Sequence, residues 1–107
     1  MRIDRIVVLT AAILLSHFAL AKLPITNDVF GKSEGTLDFC AQVNPQEAAK
    51  YQERKKSLVR GVPEKEVADA RKTQEYKTAY EWITGELAKA PKDQALAACN
   101  AVLQGDK

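Results

Sequence analysis

The chain has 107 residues, of which 46% are hydrophobic and 28% charged, with a formal net charge of +2. That length holds one small domain, and the apolar share is too high for a disordered chain. So small a net charge excludes a dedicated nucleic-acid binder, which would carry a marked basic excess.

The N-terminus reads Met1-Arg2-Ile3-Asp4-Arg5, then the uncharged run IVVLTAAILL from Ile6 to Leu15, then Ala19-Leu20-Ala21. A charged start, an apolar run and an A-x-A site form the layout of a cleaved secretory signal peptide over residues 1–21. The run from Ile6 to Ala21 contains Ser16 and His17 and is shorter than the ~20 residues of a spanning helix, so no stable membrane span is expected after cleavage. No Cys follows Ala21, which leaves a lipid anchor without an acceptor. Cleavage there leaves 86 residues, Lys22 to Lys107, with a net charge of +1 and no His.

Residues 22–35, KLPITNDVFGKSEG, are punctuated by Pro24, Asn27-Asp28, Gly31 and Gly35 and hold no period. They read as an extended arm or loop, docked through Leu23, Ile25, Val29 and Phe30. Residues 36–107 read as a helical domain. Thr36 is placed to cap a short helix from Leu37 to Val43. Asn44-Pro45-Gln46-Glu47 has the residues of an N-cap, a first-turn proline and a capping box, which predicts a helix from Pro45 to Arg60. Gly61 suits the left-handed stop, with Val62 as its apolar contact.

Pro63 opens the next helix, PEKEVADARK, and a break is expected near Lys72–Thr73, where Thr73 can cap a fresh helix. Tyr76, Ala79, Tyr80, Ile83 and Leu87 then fall at helical spacing, with Gly85 on the opposite side, and Pro91 ends the segment. Ala95, Leu96, Cys99, Val102 and Leu103 form the cleanest apolar stripe, closed by Gly105. No strand alternation or internal repeat is visible. The expected fold is all-α: a small bundle of four to five short helices closed by one disulfide.

Cys40 and Cys99 both fall on predicted apolar faces, and an exported domain with two Cys most simply pairs them. Closing so long a loop stabilises by roughly 4 kcal/mol in the chain-entropy model. That is a large contribution for a domain of this size.

The chemistry that remains is narrow. Without His there is no Ser-His-Asp or Cys-His system and no His metal site, and paired cysteines leave no thiol nucleophile. Ser33 and Ser57 sit in no nucleophile motif, and no phosphate loop, acidic calcium loop or glycosylation sequon occurs. No catalytic residue, metal or cofactor is expected. A carboxylate pair in a cleft is the one generic route to hydrolysis, and the acids here are mixed with Lys and Arg along helices.

Three features point to binding. Lys50, Arg54 and Arg60 project to roughly one side of their helix and suit an anionic partner, although such a run is more often a solvated face. Lys55 lies inside the stripe Ala48, Tyr51, Leu58, Val59, Val62, where it either snorkels or pairs with a carboxylate of a neighbouring helix. Trp82 stands about 100° off the Tyr76–Tyr80–Ile83–Leu87 stripe and either covers the N-terminal arm or is exposed for a partner. The layout of leader, short helical body and two distant cysteines resembles the small periplasmic acid-stress chaperones. The resemblance implies protection of other proteins, with acid sensing resting on carboxylates alone. The sequence reading is a small exported helical protein, periplasmic or secreted. It works by binding an unknown protein or envelope component, and its oligomeric state is open.

Overall fold

The computed structural model describes residues 23–104. The expected signal peptide over residues 1–21 lies outside the described residues, as does Gly105. The described residues form five α-helices: α1 Asn27–Val43, α2 Ala48–Leu58, α3 Glu64–Lys72, α4 Gln74–Lys89 and α5 Lys92–Gln104. A 3-10 turn, Pro45–Glu47, precedes α2. The fold is the all-α bundle that the periodicities predict.

The largest correction concerns residues 22–35. Among the described residues, Leu23 to Thr26 precede α1, and Asn27 to Gly35 are the first half of the 17-residue helix that every other described helix touches. The sequence hides this helix because its buried face is not aliphatic. Phe30, Gly31, Glu34, Gly35, Leu37 and Cys40 are the buried positions, so glycines and a carboxylate stand where apolar residues were sought.

The glycines are there because α4 comes very close. A Cβ on Gly31 would fall 2.3 Å from the backbone oxygen of Tyr76. A Cβ on Gly35 would lie 2.6 Å from Ile83 Cγ2 and 3.2 Å from the backbone oxygen of Tyr80. Small residues one turn apart let two helix backbones meet where any side chain would hold them off. Position numbers rise together along the contact, from Gly31 against Tyr76 to Gly35 against Tyr80, so α1 and α4 run parallel. Asp28 and Glu75 in their first turns complement the two positive N-terminal ends. The connection between these parallel helices is the excursion through α2 and α3. α2 runs antiparallel to α1, as the pairings Asp38–Lys55 and Asn44–Tyr51 show.

Two apolar clusters sit along α1. One joins Phe30 to Val67, Ala70 and Tyr76, with Leu23, Ile25, Val59 and Val62 packed around them. The other joins Leu37, Cys40, Tyr51 and Cys99, with Leu58, Val102 and Leu103 at its edge. The Cys40–Cys99 disulfide lies inside the second cluster, with Cα atoms 5.5 Å apart, and fastens α5 to α1.

Local signals were used in different ways. Thr73 caps α4 as expected, its hydroxyl accepting from the Tyr76 N–H at 3.2 Å, and the break falls at that residue. Gly61 has φ +79° as expected, although α2 has already ended at Leu58. Thr36 does not start a helix: it lies within α1, its hydroxyl donating to the Lys32 carbonyl at 2.8 Å. Asn44 does not cap either. Pro45 opens a 3-10 turn, and the Asn44 amide instead donates to the Tyr51 hydroxyl at 3.3 Å. The predicted helix Pro45–Arg60 is therefore the turn plus the shorter α2.

The two kinds of helical glycine give opposite expectations. Gly31→Ala should lower the unfolding free energy by about 1–3 kcal/mol, because the obstructing atoms are backbone and cannot rotate aside. Gly85 has nothing within 4 Å of its would-be Cβ, so Gly85→Ala should raise stability by about 0.5–1 kcal/mol. Urea denaturation of the two variants checks this, and effects of the same sign would contradict the close approach of α1 to α4.

Candidate functional site

Two acids of α1 one turn apart, Glu34 and Asp38, are turned toward the neighbouring helices. Glu34 is 1% exposed, and an isolated carboxylate at such a depth would be strongly unfavourable. Three donors offset that cost. Arg71 of α3 donates from Nε to Oε1 at 2.8 Å and from Nη2 to Oε2 at 2.6 Å, and the Tyr76 hydroxyl of α4 donates to Oε1 at 2.6 Å. The paired guanidinium contact is the directional, charge-assisted kind. Arg71 also lies over the Phe30 ring, 5.6 Å from its centroid.

Four residues on, Asp38 repeats the arrangement. Lys55 of α2 donates to its Oδ1 at 2.7 Å, and the Tyr80 hydroxyl of α4 donates to Oδ2. Glu34 and Asp38 thus each take one tyrosine from α4 and one cation from a different helix. Tyr76 also stacks between Phe30 and Tyr80, with ring centroids 5.3 Å and 5.8 Å away.

These contacts set the titration behaviour. Burial pushes the Tyr76 phenol well above its ordinary value, and the hydrogen bond donated to Glu34 adds to the rise. Burial, then the hydrogen bond to Asp38, pushes Tyr80 up to about 12. The bond to Glu34 raises Arg71 further above its already high value. At the start of α1, the Thr26 side chain holds Asp28 below the usual carboxylate range.

The predicted site residues scatter. Lys55 pairs with Asp38, which is the second of the two alternatives, snorkelling or a carboxylate partner, that its place in an apolar stripe left open. Lys50 makes an exposed pair with Glu47 at 2.7 Å. Arg54 turns to the end of α5, donating from Nη1 to the Val102 carbonyl at 2.9 Å and from Nη2 to the Leu103 carbonyl. Arg60 stands beyond the end of α2, 3.4 Å from the Ser57 hydroxyl. Lys50 and Arg54 line one open pocket together with Glu47 and Glu53, while Arg60 lies beyond Leu58, where α2 ends.

Trp82 meets both of its expectations in part. It touches the α1 segment, with Lys32 Nζ 5.0 Å from the ring centroid, yet 53% of the residue stays exposed. It lines an open groove between α1 and α4 together with Asp28, Lys32 and Glu75. Among the described residues, no three His, Cys, Asp or Glu side chains converge as a metal-holding group.

The Glu34 and Asp38 clusters were missed from sequence, since their partners lie 37 to 42 positions away for Glu34 and 17 to 42 for Asp38. A signal did exist: two acids spaced i, i+4 on α1 match two tyrosines spaced i, i+4 on α4.

No protein family, curated protein or solved structure matches this chain.

The raised tyrosines make stability fall in alkali. In the unfolded chain a tyrosine loses its proton near pH 10. In the fold, Tyr80 keeps it until about 12, so the unfolded state binds fewer protons in that window and stability drops as pH rises through it. Urea midpoints measured between pH 9 and pH 12 should show this decline. Tyr80→Phe should cost about 1 kcal/mol at neutral pH and make the decline shallower. An identical slope in the variant would remove Tyr80 from the account.

Proposed function

We propose that this chain is an exported, non-enzymatic protein that works by binding a macromolecular partner in the cell envelope or outside it. The observation that carries the reading is a division between interior and surface. Buried Glu34 and Tyr76 engage the guanidinium of Arg71, which reaches in from the surface, and half-buried Asp38 engages Lys55 and Tyr80. Trp82, the largest exposed apolar side chain, stands at an open groove. Buried, mutually satisfied polar groups hold a scaffold in one register. A half-exposed tryptophan beside a groove is the kind of side chain that anchors protein interfaces.

Export is supported by two independent features. The leader Met1–Ala21 has the layout of a cleaved signal. The Cys40–Cys99 bond belongs with an oxidising compartment. No helix of the described residues is long and apolar enough to cross a membrane.

The protein recovered from its native host should begin at Lys22 and have an intact mass two hydrogens below that of the reduced chain. A photo-crosslinking residue in place of Trp82 should give an adduct of one defined mass, and the same residue in place of the exposed Lys65 on α3 should give none. An intact leader, two alkylatable thiols, or equal labelling from the two positions would contradict the reading.

A further inference from the structure

The last described helix, α5, is fastened to the bundle differently from the others. Of its 13 residues only Ala95 and Cys99 are buried, while Leu96, Val102 and Leu103 are half-buried. No described residue of α5 belongs to the cluster of Phe30, Val67, Ala70 and Tyr76, and none bonds to Glu34 or Asp38. It is reached from α1 and α2 by the Cys40–Cys99 bond, by the edge contacts of Val102 and Leu103, and by Arg54 at the carbonyls of those two residues.

A second groove, of about 650 Å³, is lined by Leu37 of α1, Leu58 of α2, Ile83 of α4 and Val102 of α5, with Lys32 also on its lining. It is open to solvent, so α5 and α4 are not packed together along it.

A helix of this length is marginal on its own in water, and ordering it costs conformational entropy that burial must offset. One alanine, one cysteine and a half-covered stripe are little burial for that purpose. The contact of α1 with α3 and α4 is made by Phe30, Val67, Ala70 and Tyr76 and by the close approach at Gly31, none of which needs α5.

We propose that the Cys40–Cys99 bond is an oxidative latch for α5 alone. With the thiols reduced, α1 to α4 stay folded around the Glu34 and Asp38 contacts while α5 is released. Oxidation docks α5 over Leu37, Cys40 and Tyr51, which until then form an apolar surface open to solvent. The proposal rests on the export reading, which carries the chain from a reducing compartment into an oxidising one.

Closure is a two-electron exchange with a disulfide oxidant. One cysteine thiolate attacks the oxidant's disulfide and expels one of its sulfurs. The second thiolate attacks the mixed disulfide and expels the other. The protein gains its S–S bond, and the oxidant leaves as a dithiol carrying the two thiol protons. Both cysteines are at most 1% exposed once the bond is made, so the oxidant can reach them only while α5 is undocked.

The full exported protein tests this by NMR, as isolated, and after reduction with a phosphine in urea and return to buffer. The Cys40→Ala/Cys99→Ala double variant is the third sample and separates loss of the bond from any effect of the reductant. Backbone shifts of α5 should move to coil values in the reduced protein and in the variant, while α1 to α4 keep theirs. In buffer, both thiols of the reduced protein should be alkylated within tenfold of their rate in urea. Loss of the native shifts of Gly31 and Tyr76 together with those of α5 would overturn the proposal, because the bond would then hold the whole fold. Helical shifts in α5 without the bond, or alkylation more than tenfold slower than in urea, would overturn it as well, because α5 would then dock unaided. None of these outcomes bears on the export reading, which stands or falls on the Lys22 N-terminus and the native mass.

Discussion

The close approach of α1 to α4 at Gly31 and Gly35 is the contact from which the other packing follows. With side chains at those positions the helices would stand further apart, and the Tyr76 and Tyr80 hydroxyls would no longer meet Glu34 and Asp38. Those carboxylates fix the neighbouring helices in turn, since Arg71 brings α3 to Glu34 and Lys55 brings α2 to Asp38. A shift of one residue in either helix would leave Glu34 buried without its donors, at a cost of several kcal/mol for an unpaired interior charge. The polar contacts therefore specify register, and the apolar clusters supply the bulk of the burial.

The disulfide acts on a different part of the molecule. α5 takes no part in either tyrosine–carboxylate cluster. It is held through Cys99, through the apolar contacts of Val102 and Leu103, and through Arg54 at its C-terminal carbonyls. One end of α1 is thus organised around Phe30 and the ion pair of buried Glu34 with Arg71, the other around a covalent bond and Tyr51. The side of α1 left open between α4 and the α2–α5 pair is where the two grooves lie, and Lys32 belongs to both. Glu34 and Asp38 are turned to Arg71 and Lys55, while Asp28 and Glu75 stay outside on the groove beside Trp82.

Much of this was legible in the residues. Helical spacing in α4 and α5 and the Thr73 cap gave the later helices, and two cysteines on apolar faces gave the bridge. A lysine inside an apolar stripe left Lys55 either to snorkel or to find a carboxylate, and the fold supplies Asp38. The N-terminal half of α1 was illegible for a physical reason. Helix periodicity is sought in aliphatic residues, and this helix buries Gly31, Glu34 and Gly35 instead. Glycines that signal a loop in isolation signal a helix contact once a second helix is present, and nothing local distinguishes the two. Of the expected basic face, Lys50 and Arg54 line one pocket, and Arg60 lies beyond a helix that ends at Leu58. Asn44 carried a start signal that Pro45 redirected into a 3-10 turn.

The central claim is that the segment from Asn27 to Gly35 is the buried half of the helix around which the others pack. Native-state hydrogen exchange of single backbone amides tests it most directly, because amides in a packed central helix exchange only through global opening. The account predicts that the amides from Gly31 to Leu37 exchange as slowly as the slowest amides of α4. Exchange of Gly31 to Gly35 near free-peptide rates, with protection beginning only past Thr36, would contradict it.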